Sequence, residues 1–357
     1  MDIVGRFTLN QAQERAFRII AYHTLGRSKV GPQLRMGVFG EGGTGKSRLI
    51  AAIRAWFVVL NRQNELVVTA TTGTAAFSIG GSTIHSAASL PINTKKRNVS
   101  SIKRKVGNKK KVANNKAKIW TDHHYVIIDE VSMMDCKMIV DLHNNLGAAT
   151  SLPGAYFGGV NVIFMGDFLQ LPSVSQNDVY VNKPCKYEHG HHLWRSLNAV
   201  VIFTEQMRQS DDPEFAAALR RIRLRVLTPA DIDLLNSRVG ACLQCPTSIP
   251  IIVRRHPLRE AINADILQEM SRYSNIPITH CLADITNREK MSLSDAYSVK
   301  GGRSTIKADG ILSVIPGAPL MITRNINIPL GIFDCHSKLN YNRSCKWCHR
   351  GILWFCR

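Results

Sequence analysis

Eight residues, Gly40-Glu41-Gly42-Gly43-Thr44-Gly45-Lys46-Ser47, have the types and spacing of a phosphate cradle. Glycines let successive backbone N–H groups converge on phosphate oxygens, and a helix that starts there adds the positive end of its dipole. In such a cradle Lys46 reaches the β- and γ-phosphates, and the Ser47 hydroxyl ligates Mg²⁺. A second pair of chemically capable residues, Asp129-Glu130, closes the apolar run Tyr125-Val126-Ile127-Ile128. The first acid can hold Mg²⁺ through water, and the second can polarise an attacking water. Together the two stretches imply a bound nucleoside triphosphate with Mg²⁺.

The surrounding elements follow from hydrophobic patterning. An apolar run over residues 36–39 feeds the cradle, and an apolar-rich segment over residues 48–57 leaves it as a helix. Residues 66–70, 161–165 and 200–203 are further β-branched or apolar runs read as buried strands. Five strands alternating with helical segments predict an α/β fold with a mostly parallel sheet covered on both faces. Polar residues at strand ends along one edge are how such a sheet builds a nucleotide site.

Upstream, Thr8-Leu9-Asn10-Gln11 has capping-box spacing and predicts a helix over residues 12–22, with Gln13 in its first turn. Spacing leaves open whether Gln13 is a helical glutamine or reads a purine edge. Downstream of the strand at residues 66–70 come small hydroxylated and glycine residues, at 71–76 and 79–86. They suit close approach to a ligand, and an ordinary structural loop explains them equally well. Arg208, in Gln206-Met207-Arg208-Gln209, is either a charge sensor for the γ-phosphate or a surface arginine.

The chain has 357 residues and a formal net charge of +20, an excess that points to a polyanion partner such as nucleic acid. Eleven Lys or Arg residues and no acid fall between positions 93 and 118, which reads as a solvated loop, a phosphate-tracking arm or a nuclear address. No run of apolar residues is long enough to suggest a membrane span, and the first six residues lack a signal-peptide core. With nine scattered cysteines, the expectation is a reducing intracellular compartment and no membrane partner. Past residue 212 a basic amphipathic helix over 213–226, another helix starting near Thr228, and strand-like runs at 249–253 and 312–315 place a domain boundary near Ser210. A small-molecule kinase shares the cradle but accounts for neither the basic stretch nor residues 166–172.

The blocks together resemble the Pif-type (petite integration frequency) DNA helicases of superfamily one, over roughly residues 7–331. Residues 40–47 are similar to the family's first motif, and residues 70–76 with 81–86 to its DNA-contacting motif. Asp129-Glu130-Val131-Ser132-Met133 resembles the second motif, residues 166–172 the third, 206–209 the fourth, and 316–325 a later block. Ser173 stands where the family usually has a second proline. The resemblance implies a RecA-like motor domain at 1–210 followed by an incomplete second RecA-like domain at 211–330. It also implies a monomer that hydrolyses ATP while moving 5′ to 3′ on single-stranded DNA, in repair, recombination and telomere maintenance. By the same resemblance Asn10 and Gln13 read adenine, Gln170 and Arg208 contact the γ-phosphate, and Thr72, Gly73, Thr83 and His85 lie along the DNA strand. The nucleus is the implied compartment, with the mitochondrion as alternative.

Residues 331–357 depart from the family, whose later motifs, including a final arginine of the ATP site, do not appear. Cys335, Cys345, Cys348 and His349 could be counted as zinc ligands, and Cys242 and Cys245 form another Cys-x-x-Cys pair, but no zinc is expected. Back-translated and shifted by one base, residues 344–355 can spell His-Val-Asn-Gly-Val-Ile-Gly-Val-Phe-Tyr-Gly-Phe, close to a missing family block. The tail is therefore read as a translated intron followed by the wrong frame, with a genuinely short paralogue as the alternative. The alternative function is a catalytically impaired remnant that binds ATP or DNA without unwinding.

Overall fold

Apolar strands dominate the architecture of the computed structural model, which describes residues 2–27, 32–88, 120, 122–175, 177–180, 188–240, 251–282 and 311–318. The basic stretch at 93–118, Cys242, Cys245 and the tail from 331 lie outside the described residues. The chain divides into two compact units, residues 1–232 and 233–357.

In the first unit six strands form one sheet: β1 (Arg35–Gly40), β2 (Leu66–Ala70), β3 (Ser82–Thr83), β4 (Tyr125–Asp129), β5 (Asn161–Gly166) and β6 (Ala199–Phe203). Their order is β3-β2-β4-β5-β1-β6, and every pairing is parallel. Parallel pairing demands a crossover over one face between strands, so both faces become buried and the strands read as continuous apolar runs. The five expected strands are all present. The sixth, β3, is two residues long and carries no periodicity that a sequence reading could detect.

Alternation along the strands sends side chains to two cores. On one face Val126, Ile128, Val162 and Phe164 pack with Ile139, Leu142 and Leu146 of α6 (Cys136–Thr150) and Leu193 of α7 (Glu188–Arg195). On the other, Tyr125 meets Phe57 of α3 (Lys46–Val59) edge-on at 5.2 Å and His23 of α2 (Gln11–Thr24) at 5.7 Å. Short helices α1 (Ile3–Arg6), α4 (Gly73–Ser78) and α5 (Ile84–Ala87) complete the N-terminal half.

One local expectation changes. The cap of α2 is Asn10, not Thr8: Asn10 Oδ1 accepts from Gln13 N–H at 2.9 Å while Gln13 Oε1 accepts from Asn10 N–H at 3.1 Å. Thr8 instead has φ 43 in the turn before it. A domain boundary is expected near Ser210; the division into compact units falls after Ile232, inside α9 (Pro229–Asn236), and α8 (Pro213–Leu224) is counted with the first unit. Arg221 forks onto the buried Asp231 at 2.7 and 2.6 Å, and Arg223 onto Asp167. The basic helix expected here is present, and its Arg221 and Arg223 are structural partners of acids in this unit.

In the second unit the described residues contain α10 (His256–Ser274) and the antiparallel pair β7 (Thr279–Leu282) and β8 (Ile311–Val314). The strand expected across 249–253 is not formed at residues 251–253, where Ile252 is 96% exposed and pairs with no strand among the described residues. No described helix is long and apolar enough to cross a membrane.

Candidate nucleotide site

β1 ends at Gly40, and the chain turns through residues 41–45 into α3, whose first residue is Lys46. Gly43 and Gly45 take φ values of 89° and 85°, conformations that a side chain disfavours. A Cβ would also displace a glutamine: on Gly43 it would lie 2.0 Å from Gln206 Oε1, and on Gly45 2.3 Å from Gln13 Nε2. The Thr44 hydroxyl donates to Glu41 O at 2.8 Å, and Lys46 Nζ donates to Gly40 O and Glu41 O at 2.7 and 2.9 Å. The ammonium thus arches over the loop, where phosphate oxygens would replace carbonyls as its acceptors. Burial pushes its pKa down, opposed by the charges of Asp129, Asp167 and Glu130.

Gln13 is fully buried, and its Nε2 donates to Thr44 O at 3.0 Å. The choice left open by spacing narrows to a buried glutamine that braces the loop from α2. Asn10 Nδ2 reaches Met207 Sδ at 3.7 Å, so the same cap touches the segment after β6. That segment is itself tied to the loop. Gln206 Nε2 donates to Gly42 O at 2.9 Å, and the Met207 and Arg208 N–H groups both donate to Gly43 O, at 2.9 and 3.2 Å. Arg208 is therefore anchored by backbone beside the cradle while its side chain is exposed. Gln206, to which its position in the sequence gave no role, locks this arrangement.

At the end of β4, Asp129 is buried, and its Oδ1 accepts from Glu130 N–H at 2.9 Å. Burial pushes its pKa up, with that hydrogen bond and Lys46 pulling the other way. Glu130 sits in the left-handed region at φ 56, ψ 44, a strained backbone for a residue with a side chain. The Thr71 hydroxyl holds its carbonyl at 3.0 Å. Its pKa is also raised, first by burial and then by the charges of Asp129 and Asp167. A carboxyl with raised proton affinity, placed beside a phosphate cradle, suits a general base.

Mg²⁺ fits the donor set. Ser47 is exposed at the start of α3, and Asp129 is a hard oxygen ligand whose ionisation burial opposes and a cation would favour. Mg²⁺ at such sites needs only one or two protein ligands besides phosphates and water. Among the described residues no group of three or more His, Cys, Asp or Glu is placed to hold a metal. The cost of the buried charge is measurable. Because the raised pKa of Asp129 means that folding disfavours its ionised form, Asp129→Asn should raise the thermal midpoint at pH 7. The gain should vanish as pH falls below about 4, where the carboxyl is protonated in both states. Thermal melts of both chains across that range check it.

After β5, Asp167 is buried and accepts four hydrogen bonds. Leu169 N–H and Gln170 Nε2 donate at 3.1 and 3.2 Å, and the Arg223 guanidinium forks onto both oxygens. Burial, the largest single influence, raises the Asp167 pKa, but the bonds and charge of Arg223 with the bonds from Leu169 and Gln170 together outweigh it, and the net shift is downward. Gln170 Nε2 lies 3.4 Å from where a side chain on Gly42 would begin. Asn10, Gln13, the cradle, Asp129, Glu130, Gln170 and Arg208 therefore gather around the carboxyl ends of β1, β4, β5 and β6.

The remaining expected residues lie at the same sheet edge, beyond β2 and β3. Thr72 and Thr83 cap α4 and α5, their hydroxyls accepting from Ala75 and Ser86 N–H at 3.2 and 3.3 Å. Gly73 opens α4, and His85 is half-buried with its pKa lowered by burial. Thr71, one residue before Thr72, joins this edge to Glu130.

A family profile described as PIF1-like helicase matches residues 8–223. The chain belongs to this family. ATP-dependent DNA helicase PIF7 of Trypanosoma brucei brucei is 28% identical over 355 residues, covering 92% of this chain and 33% of the relative. PIF6 of the same organism is 34% identical over 325 residues, covering 79% of this chain and 37% of that protein. The chain thus spans about a third of the length of these curated relatives. Among solved structures, Pif1 helicase from Candida albicans aligns with a TM-score of 0.61 at 24% identity, over 90% of this chain and 66% of that one. Bacteroides Pif1 in complex with ADP-AlF3 and ssDNA aligns with a TM-score of 0.55 at 23% identity, over 86% and 64%. These likenesses give the PIF1-like chain the same α/β fold as Pif1 helicases, while the family profile's own match ends at Arg223 on α8.

Proposed function

We propose that this PIF1-like chain binds ATP with Mg²⁺ at the cradle of residues 40–47 and hydrolyses it to ADP and phosphate in response to single-stranded DNA. The observation that carries the reading is the convergence on one loop of Lys46, held over the carbonyls of Gly40 and Glu41, with the raised-pKa pair Asp129 and Glu130. In this account Lys46 and Arg208 neutralise the transferring phosphoryl group, and Ser47 and Asp129 hold Mg²⁺. Glu130 takes the proton of the attacking water, and Gln170 senses the γ-phosphate. Asn10 lies at the edge of the base's place, and Gln13 supports the loop from behind through Thr44 O. Thr72, Gly73, Thr83 and His85 follow the DNA strand, and Thr71 links that edge to the Glu130 backbone.

A structure of Bacteroides Pif1 holds ADP-AlF3 and ssDNA together, which supports pairing the two ligands here. The net charge of +20 supports a polyanion partner. Movement 5′ to 3′ as a monomer, a nuclear or mitochondrial setting, and work in repair, recombination or telomere maintenance extend the same proposal. The test is phosphate release by the 357-residue chain with and without single-stranded DNA. The expected result is turnover that DNA stimulates, with apparent DNA affinity falling steeply as salt rises. Turnover no higher than that of Lys46→Ala, or indifferent to DNA, would count against it.

A further inference from the structure

Arg223 lies on α8, outside the motifs that carry the family resemblance. Its Nη1 donates to Asp167 Oδ2 at 2.6 Å, its Nη2 donates to Oδ1, and its Nε stands 3.5 Å from Glu41 Oε1. One guanidinium therefore joins the acid after β5 to the phosphate loop. The Asp167 side chain is 2% exposed, and a carboxylate so buried requires a partner of this kind. Loss of that partner would be felt by its neighbours, because the Asp167 charge already acts on Lys46 and on Glu130. Lys46, a mobile ammonium with three donors, would be drawn to the unpaired carboxylate and away from phosphate. Gln170, whose amide donates to Asp167 Oδ2, would lose the fixed anchor that sets it against Gly42.

We infer that Arg223 is a positioning residue of the nucleotide site: it neutralises Asp167 so that Lys46 stays available to the γ-phosphate, and through Asp167 it aims Gln170 at the loop. This rests on the nucleotide reading above. A planar fork with both oxygens engaged suits the task, whereas lysine would supply charge without orientation.

The test titrates the full chain with fluorescent ADP and Mg²⁺, alone and with beryllium fluoride as a γ-phosphate mimic. Arg223→Gln should lose roughly tenfold in affinity for the beryllium fluoride complex and less than about threefold for ADP. Arg223→Lys should fall between. Adding Asp167→Asn to Arg223→Gln should restore most of the preference, because the unpaired Asp167 charge that competes for Lys46 is gone. Should Arg223→Gln not fold, the lysine variant and the double variant read the same ratio. Unchanged binding in the variants, equal losses for both ligands, or a double variant no better than the single one would overturn the inference. Failure of the intact chain to bind either ligand would instead overturn the nucleotide reading, and the inference with it.

Discussion

Replacing Lys46 with alanine is expected to lower ATP turnover by at least about 10³, with the fold intact. The size follows from the charges around the ammonium. Asp129, Asp167 and Glu130 all act on it, so its removal leaves a triphosphate facing carboxylates with a principal countercharge gone. The fold should survive because the cradle has other fastenings. Thr44 N–H and Oγ1 both donate to Glu41 O, Gln206 Nε2 holds Gly42 O, and Met207 N–H holds Gly43 O. Phosphate release at saturating ATP, beside a thermal melt, checks both halves. Loss of turnover with a much lower midpoint would assign Lys46 a structural role instead.

Glu130→Gln is expected to cost about 10² to 10⁴ in turnover while leaving nucleotide affinity unchanged or tighter. Gln keeps the shape of the side chain but cannot accept a proton from water, so only the chemical step should suffer. The backbone should be undisturbed, since the left-handed conformation at φ 56 is held by the Thr71 hydroxyl on the carbonyl. Affinity has reason to rise, because a charge repelling phosphate disappears. Measuring kcat and nucleotide affinity separately decides it: equal losses in both would place Glu130 in binding rather than proton transfer.

The cradle, the five long strands and the acidic pair were legible in the sequence because each is a local signal. A short β-branched apolar run such as residues 125–128 favours a buried strand, and polar residues at its end then emerge at the sheet edge. Other parts were not legible, for physical reasons that differ. β3 is too short to have a period, and the cap at Asn10 competed with an equally spaced Thr8. Arg223 pairs with an acid 56 positions away, and a basic helix looks the same on paper whether its arginines face water or a buried carboxylate. Gln206 is a polar residue in an exposed segment until the fold sets its amide on Gly42 O. Thr72 and Thr83 illustrate the converse, since their capping bonds give each hydroxyl a structural task that spacing alone did not reveal. Likewise composition shifts at Asp212, while the ion pairs of α8 to Asp167 and Asp231 carry no signal in the sequence.

The central claim, that residues 40–47 form a working triphosphate cradle with Mg²⁺, is tested most directly by calorimetric titration of the intact 357-residue chain with ATP, with and without Mg²⁺, beside Lys46→Ala. The account predicts one nucleotide per chain, tighter binding with the cation, and affinity lowered by tenfold or more, roughly, in the variant. Absence of binding by a folded intact chain, or equal affinity in the variant, would contradict it.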